Sequence, residues 1–367
     1  MQPSDEMRTR HRVVLIGLLL LAVVAASPAA VTHASVPNRF FGVMADGPLL
    51  GPRVDAGAEA RMMSGAGVGT IRLAVYWRDV QPSPFAPPDF TAYDRIVGVA
   101  ADAGLSVLPV LVRAPAWAAG GDTREGAVPD SAAYAAYVTA AVQRYGPRGS
   151  FWAERGAGAR KVPIRQWQVW NEPDIDKYWV GKPWAPTYVK LLRAARTAIK
   201  GADPGAQVVA AGLTNKSWED LGKLYAAGGR TLFDAAAIHP FSRRVENVLK
   251  IVELARKEMR RRGDATKPLL LTEVSWSSGK GKSSFNYGWE TSESGQAAKV
   301  REALTAIAAD RRRLRIGGVW WYTWLSPELG DDESFSYSGL RRLSGGKPVN
   351  KPAYEAFKQT VRRLRSR

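Results

Sequence analysis

From Phe40 onward, short apolar runs alternate with segments whose apolar residues recur at helical spacing. FFGVMA (40–45) is followed by a helical pattern over 57–65, TIRLAVYW (70–77) by one over 91–103, and LSVLPVLVR (105–113) by one over 131–145. IRQWQVW (164–170) leads to 186–201, AQVVAAGL (206–213) to 218–227, and FDAAAIHPF (233–241) to 245–262. PLLLTEVSW (268–276) leads to 293–309, and IGGVWWYTW (316–324) to a last helix over 351–364. Runs this apolar, rich in Val, Leu and Ile and separated by helices, predict parallel strands covered by those helices. Eight such units predict an α/β fold, a single (β/α)8 TIM barrel over residues 35–367. The rival is an open doubly wound sheet. Against it, FGVMADGPLLG after the first strand lacks the G-x-G-x-x-G spacing of a dinucleotide-binding turn, and no cofactor is expected. Long loops are expected at 114–130, 277–292 and 325–350.

The segment before the first strand has a different logic. Arg8, Arg10 and Arg12 precede VVLIGLLLLAVVAA (13–26) and the small-residue stretch SPAAVTHAS (27–35). That order reads as a secretory signal peptide over residues 1–34, or as an uncleaved anchor, because the apolar stretch continues to Val31. The chain is expected to be secreted or associated with the cell surface, and to meet a membrane only if this segment stays uncleaved.

A hydrophobic fraction of 46% and a charged fraction of 23% are those of a globular chain. An exported protein without cysteine must be held by its core, and it has neither a thiol nucleophile nor Cys-ligated zinc. Of the three histidines (His11, His33 and His239) only His239 lies beyond the leader, so no His-rich metal site is expected. The net charge is +18; three Arg against Asp5 and Glu6 leave +17 for residues 35–367. Such a field favours anionic partners. The arginine runs RKEMRRRGD (256–264) and RRRLR (311–315) also read as solvated helix faces, and with no basic–aromatic motif no nucleic-acid partner is expected.

Barrel active sites lie at the C-terminal strand ends. There the sequence places Arg72, Tyr76 and Trp77; Arg113, with Trp117 just beyond; Trp170, Asn171 and Glu172; His239 and Phe241; Glu273 and Trp276; and Trp321, Tyr322 and Trp324. Glu172, in QVWNEPD (168–174), and Glu273 read as the two carboxylates set squarely at apolar strand ends. Two Glu facing each other among tryptophans are the equipment for cleaving a glycosidic bond: one protonates the leaving oxygen, the other attacks the anomeric carbon or activates water. Thirteen Trp suit flat platforms for sugar rings as well as core filling. The competing reading has both Glu sealing the barrel mouth by ion pairs with Arg72 and Arg113.

WNEP (170–173), LTEVSW (271–276) and the C-terminal SGLRRLSGGKPVNKPAYEAF (338–357) resemble the retaining glycoside hydrolases of clan A, most like families 39 and 5. The resemblance implies Glu172 as general acid/base and Glu273 as nucleophile on a poly- or oligosaccharide. It further implies Asn171 at the 2-hydroxyl of the attacked sugar, Arg72 beside Glu273, His239 at the rim near the nucleophile, and Trp324 as the floor of the subsite. Trp276 is a candidate for further subsites, as are Trp117, Trp179, Trp184 and Trp289, whereas Trp167 and Trp320 read as packing. Two positions depart from the clan pattern: Arg113 stands where many members carry His, and Phe241 follows His239 where a Tyr is usual. The usual tyrosine hydrogen bond to the nucleophile is left to Tyr322 or Tyr287, or is absent. Arg113, Arg243, Arg244, Lys280 and Lys282 point to an acidic or exopolysaccharide substrate, against which stands the acidic loop ELGDDESF (328–335). The alternative function is a non-catalytic carbohydrate- or wall-polymer-binding barrel.

Overall fold

The computed structural model describes residues 35–328 and 333–366; the leader read over residues 1–34 and the centre of the acidic loop lie outside the described residues. Eight parallel strands close into a barrel: β1 (Phe41–Met44), β2 (Thr70–Tyr76), β3 (Ser106–Val112), β4 (Gln166–Val169), β5 (Gln207–Leu213), β6 (Ala235–Ile238), β7 (Leu269–Val274) and β8 (Ile316–Trp321). Each pairs with its sequence neighbour, and β8 returns to β1 through Phe41 beside Val319 and Val43 beside Trp321. The helices are α1 (Ala56–Gly65), α2 (Trp77–Val80), α3 (Thr91–Asp102), α4 (Ser131–Tyr145), α5 (Ser150–Glu154), α6 (Trp184–Ala202), α7 (Ser217–Ala226), α8 (Val245–Arg261), α9 (Glu293–Asp310) and α10 (Pro352–Arg365). None among the described residues is long and apolar enough to cross a membrane.

Local chemistry explains where several helices begin. Asp55 accepts from the Ala58 N–H at the head of α1, Asp130 from Ala132 and Ala133 at α4, and Ser292 from Gly295 at α9. Each satisfies an orphan N–H, an interaction worth about 1 kcal/mol. All eight strand–helix units stand where the apolar periodicity put them. The stretch expected as a loop over 325–350 instead contains a small sheet, β9 (Leu325–Ser326), β10 (Arg341–Ser344) and β11 (Lys347–Asn350). Its hairpin turns through Gly345 and Gly346, with φ 55° and 77°, the conformation that a two-residue turn demands and glycine supplies.

Two apolar layers hold the barrel. Outside, one face of each strand packs under the helices; inside, Leu108, Val209, Ala235, Ala237, Leu270 and Trp320 form a separate cluster. Trp320 fits because its neighbours are small: a methyl group on Gly42 would lie 2.3 Å from its indole ring. Eleven of the thirteen tryptophans are buried, so most of them are core rather than platform. On β2, Ile71, Leu73 and Val75 join the outer layer, while Arg72 and Ala74 face the barrel's inner mouth.

Gly42→Ala is expected to lower the unfolding free energy by roughly 1–3 kcal/mol through overpacking against Trp320. Urea denaturation checks this, and an unchanged midpoint would contradict the tight interior.

Candidate active site

The site is built on a buried cation. Arg72 donates from Nη1 to Glu273 Oε1 (2.6 Å), from Nη2 to Asn171 Oδ1 (2.7 Å) and from Nε to Gln168 Oε1 (3.1 Å). Strict alternation along the strands does not supply all of these partners. At the end of β4, Trp170 and Glu172 both adopt left-handed backbone, φ 68° and 43°, each at a cost of about 1–3 kcal/mol. The Glu172 N–H donates to Gly212 O of β5 (3.0 Å), which pins the kinked segment. On β7 the register against β8 slips between Leu271 and Val274. One extra residue on β7 lets consecutive side chains turn inward: Thr272 bonds His239, and Glu273 bonds Arg72.

His239 Nδ1 lies 2.6 Å from Glu172 Oε1, and its Nε2 lies 3.0 Å from the Thr272 hydroxyl. The ring has room because β5 carries Gly212, where a methyl group would lie 2.1 Å from Nε2. Burial raises Glu172 to about 7, with Arg72 and Lys177 opposing. Burial lowers His239 to about 4. Burial pushes Glu273 up as well, opposed by neighbouring His239 and Arg72. Near pH 6 the proton of the Glu172–His239 pair therefore sits on the carboxyl, and the imidazole is neutral.

Donor atoms of Glu172, His239 and Glu273 lie within 4.8 Å of one another, the one such trio among the described residues. Glu273 already carries a guanidinium, and both ring nitrogens of His239 have hydrogen-bond partners. That donor set is engaged in proton and charge contacts rather than arranged around a cation.

Two adjoining cavities open onto the carboxyls, sharing Asn171, Tyr178, Glu273 and Tyr322 in their walls. The inner one adds Met44, Asp46, Tyr76, Arg113 and Glu125; the outer one adds Glu172, Lys177, Phe241, Tyr287, Trp289 and Phe335. Asn171, Glu172, Glu273, Arg72 and Tyr322 thus meet at one mouth. Three sequence expectations are corrected. Trp324 is fully buried, donates its indole N–H to Glu59 of α1 (2.7 Å) and lines neither cavity. After β8 the chain crosses the end of β1, with Trp324 N–H on Met44 O, which carries the indole outward and leaves Tyr322 in the wall. Trp276 is likewise buried, bonded to Arg243 O and packed on Trp321. His239 stands near Glu273 as expected, with Nε2 3.7 Å from Oε1, but it has no exposed surface and so lies behind the two carboxyls rather than against substrate. Among the softer candidates Trp289 lines the outer cavity, while Trp179 and Trp184 are buried and Trp117 is bonded to Gln81 O. Neither tyrosine considered for the nucleophile bonds Glu273; Tyr287 donates to Glu333 (3.2 Å).

Asp46 is a third carboxyl at a strand end, two residues after β1, and was missed. Burial raises its pKa, opposed by Arg72 and Arg113. Asp46 stands at the head of the turn Asp46-Gly47-Pro48, and nothing local distinguishes its carboxyl from that of an ordinary turn aspartate. Glu125, from the loop over 114–130, had no signal; it pairs with Arg113, whose guanidinium lies 4.8 Å over the Tyr76 ring. Gln168, which orients Arg72, lies inside the fourth apolar run, where nothing in the sequence marks its side chain as facing the site.

No protein-family model matches the chain, and no match is found among curated proteins. Solved structures do match. A family 39 glycoside hydrolase from Bacteroides cellulosilyticus WH2 aligns over 90% of this chain with TM-score 0.67 and 19% identity. This chain spans 64% of that protein's length. A monomeric β-xylosidase from Caulobacter crescentus CB15 aligns over 89% of this chain and 68% of its own, with TM-score 0.62 and 18% identity. A GH5_18 protein from Streptomyces cattleya, in complex with Manβ1-4GlcNAc, aligns over 89% and 81%, with TM-score 0.64 and 18% identity. The chain therefore has the closed (β/α)8 barrel fold of these glycoside hydrolases.

Proposed function

We propose that the chain is a retaining glycoside hydrolase with Glu273 as nucleophile and Glu172 as acid/base. The observation that carries the proposal is that the two carboxyls face one mouth with an oxygen of each within 4.8 Å of the other. Double displacement uses carboxyls about 5–5.5 Å apart, whereas inversion needs roughly 6.5–9.5 Å to admit a water. The electrostatics divide the roles. Of the two carboxyls, Glu273 is the one bonded to a guanidinium, so while Glu172 keeps its proton the pair's negative charge rests on Glu273. For Glu172 to act as acid, His239 Nδ1–H donates to Oε1, Nε2 accepts from the Thr272 hydroxyl, and the acid proton occupies Oε2. Glu273 attacks the anomeric carbon as that proton passes to the leaving oxygen, giving a glycosyl–enzyme. Water, deprotonated by Glu172, then releases the sugar with retained configuration.

The inner cavity suits the attacked sugar, and the outer one, faced by Phe241, Tyr287, Trp289 and Phe335, suits the leaving group. Lining charges favour a neutral substrate over an acidic one: the walls present Asp46, Glu125, Glu172, Glu273 and Glu333 against Arg72, Arg113 and Lys177. The structural neighbours include a β-xylosidase and a protein holding Manβ1-4GlcNAc, which supports a neutral β-linked poly- or oligosaccharide. Export rests on the basic and apolar segments of residues 8–34, and N-terminal sequencing of the protein from culture medium tests it.

Turnover of a panel of neutral aryl β-glycosides is expected to fall by at least roughly 1000-fold in Glu273→Ala, with proton NMR of the wild-type product showing the retained anomer first. An inverted first product would overturn the double displacement. Because Glu172 must carry its proton and titrates near 7, kcat/KM is expected to fall tenfold per pH unit above about pH 7. Tyr322→Ala is expected to raise KM, whereas Trp324→Phe should leave KM unchanged and lower Tm through its lost bond to Glu59. Equal KM effects would return Trp324 to the site.

A further inference from the structure

The inner cavity carries a second set of charges that the two-carboxyl chemistry does not use. Asp46 follows β1, Arg113 follows β3, and Glu125 comes from the loop beyond it. Arg113 is held in left-handed backbone, φ 59°, a strain of about 1–3 kcal/mol that the Glu125 ion pair and the Tyr76 ring beneath the guanidinium offset. Asp46 has no hydrogen-bond partner among the described residues apart from its own backbone N–H, and its carboxyl faces the cavity. Recognition of a uronate calls for a guanidinium free to form a bidentate pair. Neither guanidinium here is free: Arg72 is committed to Glu273 and Asn171, and Arg113 to Glu125.

We propose that Asp46 and the Arg113–Glu125 pair determine which sugar the inner cavity accepts, admitting a neutral sugar through its hydroxyls and rejecting a uronic acid. The proposal rests on the glycoside-hydrolase reading above and deepens it. The free oxygens of Asp46 and Glu125 are acceptors, so they match hydroxyl donors on the part of the ring away from the scissile bond. One cation between two carboxyls gives the wall no surplus positive charge, and a sugar carboxylate there meets like charge. A site built to satisfy hydroxyls also discriminates against analogues that leave its buried acceptors unpaired.

The test compares kcat/KM for matched para-nitrophenyl substrates, β-glucoside with β-glucuronide and β-galactoside with β-galacturonide, at one pH. The proteins are wild type, Asp46→Asn, Glu125→Gln and the double variant, with Glu273→Ala as the blank. Wild type is expected to prefer the neutral member of a pair by roughly 100-fold or more. Asp46→Asn should cut kcat/KM on the neutral member roughly 10- to 100-fold. Glu125→Gln releases Arg113 and should raise turnover of the uronide, and the double variant should narrow the ratio furthest. Glu125 lies on a loop, so its variant keeps the test decisive if Asp46→Asn melts early. A wild type that prefers uronides, or a ratio identical in all four proteins, overturns the selection role and leaves the hydrolase standing. No turnover above the Glu273→Ala blank on any substrate overturns both.

Discussion

A single guanidinium inside the barrel organises the mouth. Arg72 stands on β2, where an apolar side chain would fill the barrel more simply, and its cation is nearly without solvent contact. Such a charge is tolerated only when paired and fully hydrogen-bonded. Its partners come from β4 and β7 and from the second residue after β4: Gln168, Glu273 and Asn171, with Met44 Sδ of β1 at 3.3 Å. Removing Glu273 strands the cation in a low-dielectric interior, at a cost of about 3–5 kcal/mol, whereas removing Gln168 or Asn171 leaves guanidinium donors unpaired. The same contacts that make Arg72 tolerable also orient the groups assigned to chemistry, so fold and site share one constraint.

Around that cation, burial redistributes a proton. In an unfolded chain the imidazole binds a proton more tightly than the carboxyl does. In the folded protein Glu172 titrates near 7 and His239 near 4, so the order is reversed. Both shifts have desolvation as their largest cause, and both favour a neutral pair over a buried ion pair. Through the interval between pH 4.5 and 6.5 the pair holds one proton whether folded or unfolded. Stability is therefore independent of pH across that interval, although each shift disfavours the ionised form, and the proton is placed on the carboxyl. Gly212 and Thr272, which hold the ring in place, belong to that arrangement although neither touches the carboxyl proton.

Aromatic residues divide between layers more sharply than their number suggests. Tryptophan mostly fills space: Trp320 plugs the barrel interior, and Trp324 ties the end of β8 to α1, where Glu59 also pairs with Arg341 of the small sheet. The cavity walls draw more on tyrosine and phenylalanine. Tyr322 stands at the junction of the two cavities, and Phe335 connects it edge-on to Phe241, Trp289 and Tyr287. A continuous aromatic surface therefore leads outward from the carboxyls toward exposed Phe285.

The periodicity of apolar runs determined the eight units and the barrel, because fully covered parallel strands and amphipathic helices leave distinct patterns. The position of Glu172 and Glu273 at strand tips was legible for the same reason, since a carboxylate ending an apolar run has few structural uses. What only tertiary structure decided is where alternation fails. The β7 bulge turns Thr272 and Glu273 inward together, left-handed Trp170 and Glu172 re-aim the end of β4, and the crossing of the chain over β1 removes Trp324 from the mouth. Asp46 and Glu125 join the site from a turn and a loop, whose paths depend on contacts distant in sequence. Local pattern specifies which face of an element is apolar; register slips, strained backbone and loop paths are set by packing across the whole barrel, and no window of residues contains them.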